Sequence, residues 1–186
     1  MKAIIGVSNR HVHLTEEDYK ILFGDLPLEV VKYIDQPGQF SSTQKVSIKT
    51  EKNTINNVRV LGPLRPYTQA EVSKTDCFVL GIKAPIRTSG DLEGAAELTI
   101  VGPMGEITKP CAIIANRHLH ITPAERIQYN LVGVEKVKVR IGSEKATVFE
   151  DVYVKESENA ALAIHLDTDD GNGSLAVTGE EAEIIF

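Results

Sequence analysis

Tryptophan is absent from the chain, and only five phenylalanines and five tyrosines occur among its 186 residues. The core must therefore be mostly aliphatic, and the dominance of Val, Ile and Leu in the apolar runs leans toward strands. Cysteine is scarce too. Cys77 and Cys111 stand far apart without metal-type spacing, which excludes a disulfide framework, suits a reducing cytosol and leaves both to pack as small hydrophobes. No segment approaches the ~18 consecutive apolar residues of a membrane-spanning helix. The short apolar start, Met1 to Val7, is too brief for a signal sequence. Positive charge is also in deficit. A net charge of −6 excludes general attraction to nucleic acid or an anionic membrane, so an anionic ligand must be met by a local group of Arg, Lys or metal. Linkers and low-complexity stretches are missing as well. With 42% hydrophobic residues, a chain of this length buries a core as one domain or as two small ones closely packed.

What is present is an internal duplication. Asn9-Arg10-His11-Val12-His13-Leu14-Thr15 recurs as Asn116-Arg117-His118-Leu119-His120-Ile121-Thr122, each preceded by an apolar run, Ala3 to Val7 and Cys111 to Ala115. Thr15 with Asp18, and Thr122 with Glu125, have capping-box spacing, and Pro123 sits where the first turn of a helix tolerates proline. Each copy reads as strand, histidine pair and short helix, with Gly24 and Gly133 as stops. Val46–Lys49, Val58–Leu61, Cys77–Leu80, Leu98–Val101, Val137–Ile141 and Val152–Val154 read as further strands, bounded by Gly, Pro, Asn or Ser. Gln36-Pro37-Gly38, Gly62-Pro63 and Gly102-Pro103-Met104-Gly105 favour sharp reversals between strands. Short strands so spaced suggest small barrels.

All five histidines fall in three places: His11 with His13, His118 with His120, and His165 alone. On a strand, residues two apart project from one face, so each His-x-His can aim two imidazoles at one point while Val12 and Leu119 face the core. A single His-x-His is as often a packed or surface pair. Two copies in one Asn-Arg-His-x-His frame, in a chain with so few histidines, favour a metal site, and imidazole-rich ligation favours zinc over magnesium or calcium, with iron, cobalt and nickel also fitting the ligand type. His165 stands in Ala163-Ile164-His165-Leu166-Asp167-Thr168-Asp169-Asp170-Gly171-Asn172, an apolar approach followed by an acidic turn. Two bound metals would need it as a fifth ligand. A carboxylate would complete the set, and composition does not choose one among 26 acids.

Several segments together carry a family resemblance. They are Val7-Ser8-Asn9-Arg10-His11-Val12-His13-Leu14, Gly62-Pro63-Leu64-Arg65-Pro66-Tyr67-Thr68-Gln69-Ala70-Glu71, Ser89-Gly90-Asp91, Asn116-Arg117-His118-Leu119-His120 and His165-Leu166-Asp167-Thr168-Asp169. From about Gly6 onward the chain resembles the phosphotransacylases of the propanediol-utilisation type, the phosphate propanoyltransferases. The resemblance implies a mainly β protein of two small β-barrel domains with short α-helices and a dinuclear zinc site at the domain interface. Its ligands here would be His11, His13, Glu71, His118, His120 and His165, with Arg65 contacting phosphate. Lys32, Arg59, Ser89 and Asn172 match coenzyme A contacts. It further implies a discontinuous layout, residues 1–9 with 116–186 in one barrel and 10–115 in the other, so that both histidine pairs reach the interface where clefts commonly form. A homodimer is implied as well.

The implied reaction is reversible transfer of an acetyl or propionyl group between coenzyme A and inorganic phosphate, by zinc-assisted direct attack of phosphate. Members that enter bacterial microcompartments carry an N-terminal targeting helix, whereas this motif begins a few residues after Met1, so a free cytoplasmic enzyme is expected. An acyl-cysteine route is disfavoured, because Cys77 and Cys111 lie in apolar stretches that raise a thiol pKa. Two other classes stay open. A dinuclear zinc hydrolase would use the same ligands, although the chain lacks a His-x-His-x-Asp-His cluster. A non-catalytic zinc-stabilised binding module would more often be closed by cysteines.

Overall fold

The apolar residues alternate along the strands with the two-residue period of a sheet that has one dry face. In Lys136–Ile141, for example, Val137, Val139 and Ile141 are buried and the residues between them exposed. A computed structural model describes residues 1–34, 36–142 and 144–185 of the chain. In chain order the elements are β1 (Lys2–Ser8), β2 (His11–His13), α1 (Glu16–Phe23), β3 (Val30–Tyr33), β4 (Phe40–Lys49), β5 (Thr54–Gly62), β6 (Gln69–Glu71), α2 (Lys74–Leu80) and β7 (Ile86–Arg87). There follow β8 (Ala96–Val101), β9 (Glu106–Ala115), β10 (His118–Ile121), α3 (Pro123–Gln128), β11 (Lys136–Ile141), β12 (Thr147–Glu156), β13 (Ala163–Asp167), α4 (Thr168–Ser174) and β14 (Glu181–Ile185). The protein is mainly β, and no helix among the described residues exceeds eight residues. None is long and apolar enough to cross a membrane.

The chain divides into two compact units, Met1–Asn9, Asp35–Pro37 and Asn116–Phe186 in one, Arg10–Ile34 and Gly38–Ala115 in the other. In the first, the strands close in the order β1-β13-β10-β12-β11-β14 around Ile5, Leu119, Ile121, Val139, Ile164 and Ile184. In the second, β4-β5-β2-β6-β9 is closed by β8, which pairs with both β4 and β9, while β3 and β7 extend the sheet outside this ring. Its core gathers Val12, Leu14, Leu22, Ile48, Val60, Leu80 and Ile100. Each unit is thus a closed six-stranded barrel.

The two barrels repeat one topology. The histidine strand β10 runs parallel to β12 and antiparallel to β13, which pairs in parallel with β1. Likewise β2 runs parallel to β5 and antiparallel to β6, which pairs in parallel with β9. The remaining antiparallel pairs correspond as well, β1-β14, β14-β11 and β11-β12 with β9-β8, β8-β4 and β4-β5. The equivalent strands β1 and β9 therefore each run on in sequence into the histidine strand of the other barrel, β1 into β2 and β9 into β10.

Local chemistry sets the helices. Thr15 caps α1 by accepting from the Asp18 N–H, and Gly24 ends it at φ 64°. The Thr122–Glu125 capping box forms at α3, but α3 stops at Tyr129 and not at Gly133, because Asn130 already takes the left-handed conformation, φ 57°. Cys77–Leu80 is helix and not strand: Ser73 and Asp76 make a reciprocal capping box that starts α2. The acidic run after His165 is likewise a short helix, α4, capped by the Asp167 carboxylate. Gly62-Pro63 is a cis peptide bond, and Pro103 and Met104 lie at the turn joining β8 and β9.

Candidate functional site

Val12 and Leu119 are fully buried in their barrel cores, so the flanking histidines project from the opposite face of β2 and β10. In the second barrel, antiparallel pairing sets His11 opposite Glu71 and His13 opposite Gln69. His11 Nε2 comes to 3.4 Å from Glu71 Oε2, and His13 Nε2 to 3.9 Å from Glu71 Oε1. In the first barrel the same pairing sets His118 opposite His165, and the Nε2 atoms of His118 and His120 approach to 3.1 Å. Within each trio, His11/His13/Glu71 and His118/His120/His165, the donor atoms all lie within 4.8 Å of one another. Glu71 and His165 thus hold the same place in the two barrels, directly across from the first histidine of the motif.

The neighbours suit these differing groups. Gly6 pairs with His165 in register, and a Cβ there would stand 3.1 Å from His165 Cδ2, so the missing side chain makes room for the imidazole. The residue paired with the slimmer Glu71 from β9 is Ile113.

Electrostatics prepare the rings as ligands. Burial, reinforced by the adjacent His11, pushes His13 down to about 2, and burial with His118 and His165 does the same to His120. Both are neutral near pH 7, with a lone pair to offer. His118 Nδ1 lies 2.7 Å from the Asn116 carbonyl, an acceptor only, so this nitrogen carries the ring proton and Nε2 presents its lone pair toward His120. Two nitrogens at ~2.0 Å from one tetrahedral ion stand about 3.3 Å apart. The 3.1 Å separation of His118 and His120 and the all-nitrogen-and-oxygen donor sets therefore fit a borderline cation such as zinc. Three protein ligands would leave a position open, as catalytic zinc sites do.

A second network adjoins Glu71. Gln69, fully buried, donates from Nε2 to Glu71 Oε1 at 2.7 Å and to Ser89 Oγ at 2.9 Å, while its Oε1 accepts from the Gly90 N–H at 2.8 Å. Every hydrogen-bonding group of its amide is engaged, and Glu71 Oε2 is left facing His11. Arg65 Nη1 donates to Tyr67 Oη at 2.9 Å and Ser89 Oγ at 3.2 Å, and Nη2 donates to Gln39 Oε1 at 3.0 Å. All three acceptors are neutral. Among the described residues no carboxylate pairs with Arg65, so its half-buried charge can meet an anion.

Of the other residues singled out in the sequence, Ser89 joins the Arg65 network, whereas Lys32 is exposed on β3. Arg59 lies on β5 in register with His11 and donates to the Ser42 carbonyl at 2.8 Å. Asn172 is exposed on α4. Cys77 and Cys111 are buried, and burial pushes the Cys111 thiol up to about 12, far from a thiolate nucleophile. Sequence reasoning passed over Gln69 as a partner of Glu71. The alternation Gln69-Ala70-Glu71 put both on one strand face, but only strand pairing shows what that face meets.

Two closed barrels, each presenting a trio of donors that could hold a metal ion, and one of them a cation held by neutral oxygens, define a β-barrel protein with two candidate metal centres. A family profile described as phosphate propanoyltransferase matches residues 4–177. The chain is 44% identical over 185 residues to the phosphate propanoyltransferase of Thermotoga maritima, covering 98% of this chain and 88% of that protein. It is also 42% identical to the protein of that name from Shewanella putrefaciens, covering 91% of this chain and 82% of the relative. With the one from Salmonella typhimurium it shares 39% identity, covering 92% and 83%. The chain belongs to the phosphate propanoyltransferase family, and it is an enzyme of the phosphate acyltransferase class.

Proposed function

We propose that the chain moves a short acyl group, acetyl or propionyl, between coenzyme A and inorganic phosphate, with zinc held by His11, His13 and Glu71 and by His118, His120 and His165. The observation that carries this reading is Arg65. A guanidinium with only neutral acceptors, coupled through Ser89 and Gln69 to a metal-type carboxylate, is built to receive an oxyanion beside a cation. In a chain of net charge −6, such a local site is where phosphate can bind. Lys32, Arg59, Ser89 and Asn172 are proposed to contact coenzyme A. The same reading takes residues 1–9 with 116–186 and residues 10–115 as the two domains.

An oxygen of hydrogen phosphate attacks the thioester carbonyl carbon, the C–S bond breaks, and its electron pair leaves on sulfur. The phosphate proton ends on the thiol, so acyl-CoA and hydrogen phosphate give acyl phosphate and coenzyme A. Zinc held by His11, His13 and Glu71 and by His118, His120 and His165 would supply Lewis acidity. Arg65, with three of its five N–H donors held by Tyr67, Ser89 and Gln39, offers the remaining two to phosphate and offsets charge developing in the transition state. Gln69 keeps the Glu71 carboxylate in one orientation. No cysteine takes part, in keeping with the buried, protonated Cys111.

The test is thiol release from acetyl-CoA and from propionyl-CoA, with and without phosphate, on protein of measured metal content. Phosphate-dependent release of thiol is expected. Release of free acid at the same rate without phosphate would identify a hydrolase and overturn the proposal.

A further inference from the structure

The duplicated motif holds an arginine that metal ligation leaves unexplained, Arg10 in one copy and Arg117 in the other. In each barrel this residue immediately precedes the first histidine and closes the same ion pair. Arg10 Nε donates to Asp76 Oδ1 at 2.7 Å. Arg117 Nε donates to Asp170 Oδ2 at 2.7 Å, and its Nη2 to Asp170 Oδ1 at 2.8 Å. The two aspartates occupy equivalent places. Each is the third residue of the helix whose cap stands two positions after the third donor: Glu71, cap Ser73, Asp76 in one barrel, and His165, cap Asp167, Asp170 in the other. Each is also held by its own cap, Asp76 Oδ2 accepting from the Ser73 N–H at 3.1 Å and the Asp170 N–H donating to Asp167 Oδ1 at 2.9 Å. Aligned position by position, the helices Lys-Thr-Asp-Cys-Phe-Val-Leu and Thr-Asp-Asp-Gly-Asn-Gly-Ser share only this aspartate. Their packing residues have diverged and the ion pair has not.

We propose that Arg10 and Arg117 are positioning residues that each tie the strand bearing the third donor to the strand bearing the histidine pair, and so set the metal affinity of their own trio. The strands concerned are short. β2 and β6 span three residues each, and β10 and β13 four and five, with three register pairs in each ladder. So small a ladder restrains the separation of its side chains weakly, whereas a charge-assisted bond one residue from the first histidine and five from the third donor pins both strand ends. Asp76 is almost wholly buried, its side chain 2% exposed, so the pair cannot open without leaving a buried charge unmatched. Groups that orient metal ligands from outside the coordination sphere typically contribute about ten- to a hundredfold in affinity. This inference rests on the reading that the trios bind metal.

Cobalt(II) titration of metal-free full-length protein tests it, followed by the visible d–d absorption and by competition with a chromophoric chelator. His11→Ala and His118→Ala assign the two binding steps. Arg10→Gln is expected to weaken the His11/His13/Glu71 site about tenfold or more and leave the other step unchanged, and Arg117→Gln to do the converse. Folded variants that titrate like the parent, or that weaken both steps equally, overturn the proposal. Should a glutamine variant fail to fold, Arg10→Lys and Arg117→Lys keep the charge but lose the planar fork. Weakening confined to one step then supports the proposal, and parental affinity at both steps overturns it. A parent protein that takes up no cobalt at either trio removes the metal-binding reading itself, an outcome distinct from normal binding by the arginine variants.

Discussion

Arg65 donates to Tyr67, Ser89 and Gln39, so truncating it leaves three neutral groups that can turn to water, not an orphaned buried charge. Arg65→Ala should therefore fold, keep its metal and lower kcat/KM about a hundredfold or more, as loss of one oxyanion stabiliser does. Parental turnover would eliminate its role. Two other residue-scale effects govern acid stability. Burial, with a neighbouring imidazole, holds His13 and His120 unprotonated down to about pH 2, whereas in the unfolded chain they take up protons below about 6.5. The metal-free protein is thus fully stabilised above that value and loses stability as pH falls from about 6.5 toward 2. Burial alone would raise the Asp18 carboxyl, but bonds from Lys109 and Thr68 outweigh it and hold the group below its ordinary value. Its contribution is present above about pH 3.9 and is lost as pH falls through the folded value. Thermal midpoints of metal-free protein should accordingly be level above pH 7 and drop below about 6.5, and Asp18→Asn should remove only the more acidic part of the fall. A midpoint unchanged between pH 7 and pH 5 would contradict the burial argument for the two histidines.

Among the elements, β1 and β13 show how strand pairing carries ligand choice. A methyl group on Gly6 would press within 3.1 Å of the His165 ring, and the ring must swing away or the strands part by a few tenths of an ångström. On the proposed reading of one ion per trio, Gly6→Ala should lower the metal bound at the His165 trio while the circular dichroism spectrum stays native; two tightly held ions would show that the ring tolerates the crowding. Element identity was legible wherever period and caps agreed. The strands around Val46–Lys49, Val58–Leu61, Leu98–Val101, Val137–Ile141 and Val152–Val154, and the helices after Thr15 and Thr122, follow directly from pattern and cap. Cys77–Leu80 misleads because its β-rich composition hides the capping box of Ser73 and Asp76, and a seven-residue helix offers too little periodicity to outvote composition. The helix after Asp167 misleads for a similar reason, since its two glycines read as turn although the carboxylate cap starts a helix.

For the whole molecule, each trio joins two neighbouring strands of one barrel, so a bound ion crosslinks the folded state and has no matching site in the unfolded chain. Chelation should lower the thermal midpoint. At metal concentrations a thousandfold above Kd, binding contributes about 4 kcal/mol per site, and at about 2–4 °C per kcal/mol for a chain of this size removal of one ion should cost on the order of 10 °C. A midpoint indifferent to chelator in protein shown to contain metal would refute the crosslink. The sequence alone determined that the chain is β-rich and twofold repeated in its histidine motif, with imidazoles two apart on one strand face, because period, caps and motif spacing are local properties. It did not reveal that the repeat extends to the order of six strands, nor that Glu71 among 26 acids takes the place that His165 holds in the other barrel. Those facts depend on which strand lies beside which and in what register, and pairing between residues 60 positions apart is decided by burial of the barrel's apolar face and not by any local signal.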